Sequence, residues 1–418
     1  MFGCVLGIAT IAGIGAELYH YWKLSNRYDH FNKFRQPKLS PEQIREMTDA
    51  IMEKNPDLFE RARMFPHTAH ITNPEQLRDQ MQTHDHLLEA NRLQVGCSEL
   101  YWTYRPLAFD LTMRLLRRLG ELHLSYCLGL TQVWHHTSDG SYSVWTHTVP
   151  NTKPIVFFPG FGLGAVPYAA YAKKFQRTVH IIEVPNMGYA TPMSDRHSTS
   201  ETLYRVVCDT CGGGADAGTA ADAGTAADAG TAADAGTAAD AGTAAAAPDV
   251  FAHSMGSSHA AIWLNETTRR NGSLMPCNVV ICDGWVNPTD FLRCHLYPFV
   301  DFCDYPAMQV GRMTNLEFCI FLWSSLHNLE LTSWLKRYHN VYDSSLWRTY
   351  RNVNVKYVYA GNDILYDTKY LNQNCRNSIC IGSGGHGSLI FGENSEFAFS
   401  IIRRWLNDSI EPAHSGND

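Results

Sequence analysis

From residue 155 onward the chain carries short, mainly apolar runs at 155–158, 179–184, 250–252, 279–282, 355–359 and 379–381, the first of them apolar at every position. A run that is apolar at every position has no face for water, so it predicts a strand buried on both sides. Helix-patterned segments lie between the runs, near 167–177, 199–208, 255–268 and 396–406. The second is opened by Ser198-Thr199-Ser200-Glu201. Buried strands alternating with helices predict an α/β fold: a mostly parallel sheet with helices on both faces. Ahead of it, residues 130–136 and 142–149 flank Ser138-Asp139-Gly140, which reads as a β-hairpin.

The N-terminus follows another logic. Met1 to Ala16 holds no charge, and Glu17 precedes Leu18-Tyr19-His20-Tyr21-Trp22. A membrane span needs roughly 20 apolar residues. Residues 1–22 reach that length with Glu17, Tyr19, Tyr21 and Trp22 at an interface, and they are expected to form a single-pass anchor. Lys23, Arg27, Lys33, Arg35 and Lys38 follow, so the positive-inside rule puts the remaining chain in the cytosol. Asn265-Glu266-Thr267, Asn271-Gly272-Ser273 and Asn407-Asp408-Ser409 are glycan acceptors only in the opposite orientation. Residues 23–125 read as a helical region. Ser40-Pro41-Glu42-Gln43 and Asn73-Pro74-Glu75-Gln76 are helix starts, predicting helices over 41–63 and 74–93, and a third stretch runs over 106–119.

Residues 126–418 then form the α/β domain, with two insertions. Between 215 and 244 the unit Ala-Asp-Ala-Gly-Thr-Ala repeats with no large side chain to bury, so 212–247 is expected to be a disordered loop. Residues 286–350 break the alternation and are rich in aromatic side chains, among them Phe291, Phe302, Phe321, Trp323 and Trp334. A lid or cap over the strand ends is expected there.

With a formal charge of −7, the chain has no basic surplus for nucleic acid. Twelve cysteines in a chain this long and apolar read as free thiols, Cys282 being inside a buried strand. His67-Thr68-Ala69-His70 and His84-Asp85-His86 lack a second ligand pair at regular spacing, so neither a metal nor another cofactor is expected.

Chemistry concentrates in three loops. Ala252-His253-Ser254-Met255-Gly256 follows an apolar strand and opens a helix, which holds a serine nucleophile clear of the chain at the positive helix end. Small residues flank it because strand and helix crowd there; Ala252 stands where the strict pattern has glycine. Asp363, in Ala360-Gly361-Asn362-Asp363, and His386, in Gly384-Gly385-His386-Gly387, each follow a strand. The order serine, acid, histidine fits a triad in which His386 takes the Ser254 proton and Asp363 fixes the imidazole tautomer. Asp367 and Asp283 are the competing acids. Phe158-Pro159-Gly160-Phe161-Gly162 brings a turn to the nucleophile, and the Phe161 and Met255 amides are the expected oxyanion hole.

With these pieces, plus Glu183-Val184-Pro185-Asn186 and Ile281-Cys282-Asp283-Gly284, the chain from about Gly129 onward resembles the α/β-hydrolase superfamily. Its layout is similar to membrane-associated members with an N-terminal apolar segment. The resemblance implies a serine hydrolase acting through an acyl-enzyme, and the aromatic insertion points to a lipophilic ester as substrate. Acyl transfer on the same triad and a non-catalytic binding protein of the same fold are the alternatives. Oligomeric state is not legible in the sequence.

Overall fold

The computed structural model describes residues 2–33 (side chains over 12–29), 42, 46, 106–162, 164–187, 194, 198–212, 247–270, 274–284, 344, 346, 350, 353–363, 377–382, 384–392 and 394–407. The repeat, nearly all of 286–350, and the two helices expected over 41–63 and 74–93 lie outside these residues, apart from single positions.

Eight strands form one sheet: β1 Thr131–Thr137, β2 Gly140–His147, β3 Ile155–Phe158, β4 Val179–Glu183, β5 Asp249–His253, β6 Asn278–Cys282, β7 Asn354–Ala360 and β8 Ser378–Ile381. Their spatial order is β1-β2-β4-β3-β5-β6-β7-β8. β2 runs antiparallel to both neighbours, and every pairing from β4 through β8 is parallel. The order explains the apolar runs. β3, β4, β5 and β6 are buried at every position, whereas β1 at the sheet edge alternates between exposed and half-buried residues.

Within each central strand, successive side chains serve opposite faces. Val156 and Phe158 join one core, with Leu203, Val206 and Val207 of helix α4 (Ser200–Thr210) and Trp263 and Leu264 of helix α5 (Gly256–Arg269). Ile155 and Phe157 join the other. There they meet Ala169, Tyr171 and Ala172 of α3 (Ala169–Lys174), and Phe399, Ile402 and Leu406 of α7 (Ser395–Asn407). A short helix, α6 (Ser388–Phe391), precedes α7. Thr199 caps α4, its side chain accepting from the Thr202 amide as the serine/threonine-rich start predicts. α3 is shorter than expected. A 3₁₀ turn at Val166–Tyr168 leads into it, and Gln176 at φ 55° is in the left-handed region just past its end.

Before the sheet, α1 (Phe2–Lys33) runs unbroken through residue 22, and α2 (Leu107–Leu122) continues into a π-helical turn at His123–Cys127. Pro106 gives α2 no side-chain cap. Glu17 supplies one from α1: its carboxylate accepts from the Leu107 amide at 3.0 Å, a favourable place for an anion. His20 Nε2 lies 3.5 Å from Asp110. Among the described residues no helix is long and apolar enough to cross a membrane. The spanning anchor expected over 1–22 therefore finds no support there, and Glu17 and His20 turn toward the protein. α2 is fastened by Arg117, which is buried and donates through both terminal nitrogens to Glu183 of β4 at 3.0 and 2.6 Å.

Candidate active site

The chain builds β3 first, steps outward to β4, then returns across β3 to lay down β5 on its other side. At such a reversal, loops leaving the two central strands diverge and open a crevice at their carboxyl ends. The loops after β3 and β5 are the two that carry Phe158-Pro159-Gly160-Phe161-Gly162 and Ser254.

Ser254 sits between β5 and α5 with φ 51°. An L-residue in this region stores about 1–3 kcal/mol, which the surroundings must hold. Here the Ser254 amide donates to Cys282 O at 3.0 Å, and the Ser257 amide closes the turn on Ser254 O at 3.0 Å. Crowding sets the small residues. A methyl group on Gly256 would lie 2.0 Å from the Phe158 carbonyl oxygen, so any side chain there must displace backbone. Ala252, which has its methyl group, is fully buried in the core.

Ser254 Oγ is 2.8 Å from His386 Nε2, and His386 Nδ1 is 2.8 Å from Asp363 Oδ2. The three expected residues thus form one hydrogen-bonded line. Ser254 and Asp363 are buried, at 8% and 4% exposure, while the His386 side chain between them is partly open to solvent. Burial alone would lower the His386 pKa. The Asp363 carboxylate, the bond to it and the nearby Asp283 outweigh burial and hold the imidazole above its ordinary value.

Asp283, the competing acid, has another role in this geometry. It ends β6 at φ 44° and is fully buried. Its Oδ1 accepts from the Ala360 amide at 2.9 Å and its Oδ2 from the Gly387 amide at 3.1 Å. Ala360 ends β7, the strand that leads into the Asp363 loop, and Gly387 follows His386. One carboxylate therefore clamps both. Burial first, then the neighbouring Asp363 charge, push its pKa up. Asp367, the other candidate acid, lies outside the described residues.

The turn after β3 presses against Ser254: a methyl group on Gly160 would lie 3.0 Å from Ser254 Cβ. Phe161 follows on that turn, and Met255 follows Ser254 at the head of α5. Beneath them is a pair that sequence reading missed. The Gly160 amide donates to Tyr168 Oη at 3.1 Å, and Tyr168 Oη is 2.8 Å from His253 Nδ1. Tyr168 thus ties the turn after β3 to the histidine beside Ser254. Burial and the His386 charge hold His253 well below its ordinary pKa, so it stays neutral. The only signal for this pair in the sequence was His253 beside Ser254.

Asp283, Asp363 and His386 offer ligand atoms within 4.8 Å of one another, the one such group among the described residues. Both Asp283 oxygens accept backbone amides, Asp363 accepts from His386, and His386 Nε2 faces Ser254. The donors are already spent on a proton-holding line, and the set does not fit a metal. Asn265 is also spoken for. It is buried and accepts from Tyr350 Oη at 2.9 Å, which rules it out as a glycan acceptor in the folded chain.

No family model matches the chain, and no curated protein matches it. Solved structures similar to it include a carboxylesterase from Bacillus subtilis, at 9% identity over 72% of this chain and 99% of that one, TM-score 0.44. An esterase from Pyrobaculum calidifontis has 14% identity over 74% and 95%, TM-score 0.43. A bacterial membrane phospholipase A has 11% identity over 71% and 93%, TM-score 0.42. These likenesses are too distant to carry an argument; the sheet carries it. Eight strands in this order with only β2 reversed, a strained serine turn after β5, and acid and histidine loops after β7 and β8 give this chain the α/β-hydrolase fold.

Proposed function

We propose that the protein is a serine hydrolase that cleaves a carboxylic ester through Ser254, His386 and Asp363. The observation that carries this reading is the line Ser254 Oγ–His386–Asp363, with 2.8 Å at each step, at the strand-end crevice. His386 Nε2 takes the Ser254 proton as Oγ adds to the ester carbonyl, and returns it to the departing alcohol. The resulting acyl-Ser254 is released by water in the same two steps reversed. Asp363 holds Nδ1–H and stabilises the imidazolium. The Phe161 and Met255 amides are the proposed donors to the oxyanion, on the two turns that meet at Ser254. The lipophilic character of the substrate rests on the aromatic sequence of 286–350. Placement of the catalytic domain on the cytosolic side of a membrane rests on the basic residues after Trp22; a glycan on Asn271 or Asn407 would remove it.

The test is non-additivity. Ser254→Ala and His386→Ala should each abolish most turnover of a short water-soluble ester, and the double variant should lose little more than either, because the residues act as a unit. A folded Ser254→Ala protein with near-normal turnover would refute the proposal.

A further inference from the structure

In a helix packed on a soluble domain, the stripe facing the protein is apolar and the outer face is polar. α1 and α2 are the reverse. The protein-facing side of α2 carries Asp110, Arg117 and Gly120, all buried. Its outer side carries Leu111, Leu115, Leu119 and Leu122, each more than half exposed. At steps of three and four residues these form one continuous stripe. In α1, Glu17 caps α2 and His20 reaches Asp110, while Ile14, Leu18 and Trp22, at steps of four, are 57%, 64% and 57% exposed. Glu17, His20, Asp110 and Arg117 are spent between the helices and on the domain, while Ile14, Leu18, Trp22 and the four leucines of α2 face outward.

We propose that the outer face of the α1–α2 pair lies in the surface of a lipid bilayer. The inverted polarity is the first argument: buried polar contacts with outward leucine is the arrangement that a hydrocarbon solvent favours and water opposes. The second is the border of the stripe. Arg114 and Arg118 lie one turn apart along its edge, both exposed although Arg118 also pairs with Glu121 at 2.7 Å, and exposed Lys23 follows Trp22 on α1. Cations beside an apolar stripe meet anionic headgroups while the leucines enter the acyl region. The third is Tyr19 and Trp22, in contact with ring centroids 5.8 Å apart and exposed where such side chains favour the headgroup level. This contact lies in the membrane plane. It requires no spanning helix, and it stands apart from the hydrolase reading.

The test uses the full-length protein with vesicles of phosphatidylcholine and phosphatidylserine containing a phosphatidylcholine with a photoactivatable acyl chain. After irradiation, lipid adducts are mapped by peptide mass spectrometry. Adducts should fall on the peptides that hold Leu111–Leu122 and Ile14–Trp22. A combined Leu111→Gln, Leu115→Gln and Leu119→Gln variant should lose at least tenfold of the α2 adducts while its far-ultraviolet spectrum is unchanged. Adducts confined to residues 1–13 would overturn the proposal and leave only an anchor. Absence of adducts would overturn it outright. So would a stable dimer in wild type that the triple variant dissociates, since the face would then belong to a second copy. None of these outcomes bears on Ser254 chemistry.

Discussion

Replacing Asp283 by asparagine tests whether the second buried acid positions the triad or belongs to it. Asparagine keeps one oxygen and puts an NH₂ group where the other oxygen was. Either the Ala360 amide or the Gly387 amide then faces a donor instead of an acceptor at about the distances now seen, 2.9 and 3.1 Å. A buried donor left without a partner costs about 1–3 kcal/mol. If that cost is felt as misalignment of the His386 loop, kcat falls between about fivefold and about 150-fold. Asp363→Asn removes the group that fixes the imidazole tautomer, and its loss should be on the order of 10⁴-fold. The two variants therefore separate by about two orders of magnitude or more in kcat on a water-soluble ester, with KM nearly unchanged. The pH profile adds a signature that a purely structural role would not give. Turnover needs neutral His386, so activity rises with pH through its pKa. Asp363 first, and Asp283 after it, raise that pKa. Asp283→Asn should accordingly move the acid limb to lower pH. A variant as inactive as Asp363→Asn would make Asp283 the triad acid. One with unchanged kcat and an unmoved acid limb would show that the clamp does nothing.

Other consequences follow from the same contacts. In the wild-type protein the acid limb of kcat/KM should have its midpoint above the ordinary histidine value of 6.5, since His386 is raised; a midpoint below it would contradict the Asp363 pairing. Gly256→Ala must displace the Phe158 carbonyl, 2.0 Å from the new methyl, and should cost about 2–4 kcal/mol by denaturant unfolding together with most activity. Trp263→Ala empties a fully buried site in the core beneath α5 and should cost about 3–5 kcal/mol, read as a shift in the urea midpoint at constant slope. Tyr168→Phe removes the acceptor of the Gly160 amide, and should lower kcat more than it raises KM if that turn positions the oxyanion donors.

The sequence made the sheet legible because its central strands are buried on both faces: β3, β4, β5 and β6 read as mainly apolar runs, and their observed bounds differ by two residues or fewer. β2 was read through its hairpin with β1, a local feature. Ser254, Asp363 and His386 were legible because each follows such a run, so the fold alone brings them to one end of the sheet. Asp283 was visible only as a rival acid. What it does depends on Ala360 and Gly387, 77 and 104 residues away, which no local pattern relates. The end of α3 was misplaced because Gln176 gives no sign of its left-handed φ. α2 shows a different limit. Periodicity reveals that Leu111, Leu115, Leu119 and Leu122 share a stripe, but a stripe carries no information about which medium it meets. Only the packing of Arg117 on Glu183 shows that the leucines point outward.

The central claim is that Ser254 is a nucleophile activated by His386. The most direct measurement is reaction with a fluorophosphonate, followed by intact mass and peptide mapping. One adduct per chain should form, on the peptide that contains Ser254. It should vanish in Ser254→Ala and form far more slowly in His386→Ala. An adduct that persists in Ser254→Ala, or a folded wild-type protein that takes up none, would contradict the account.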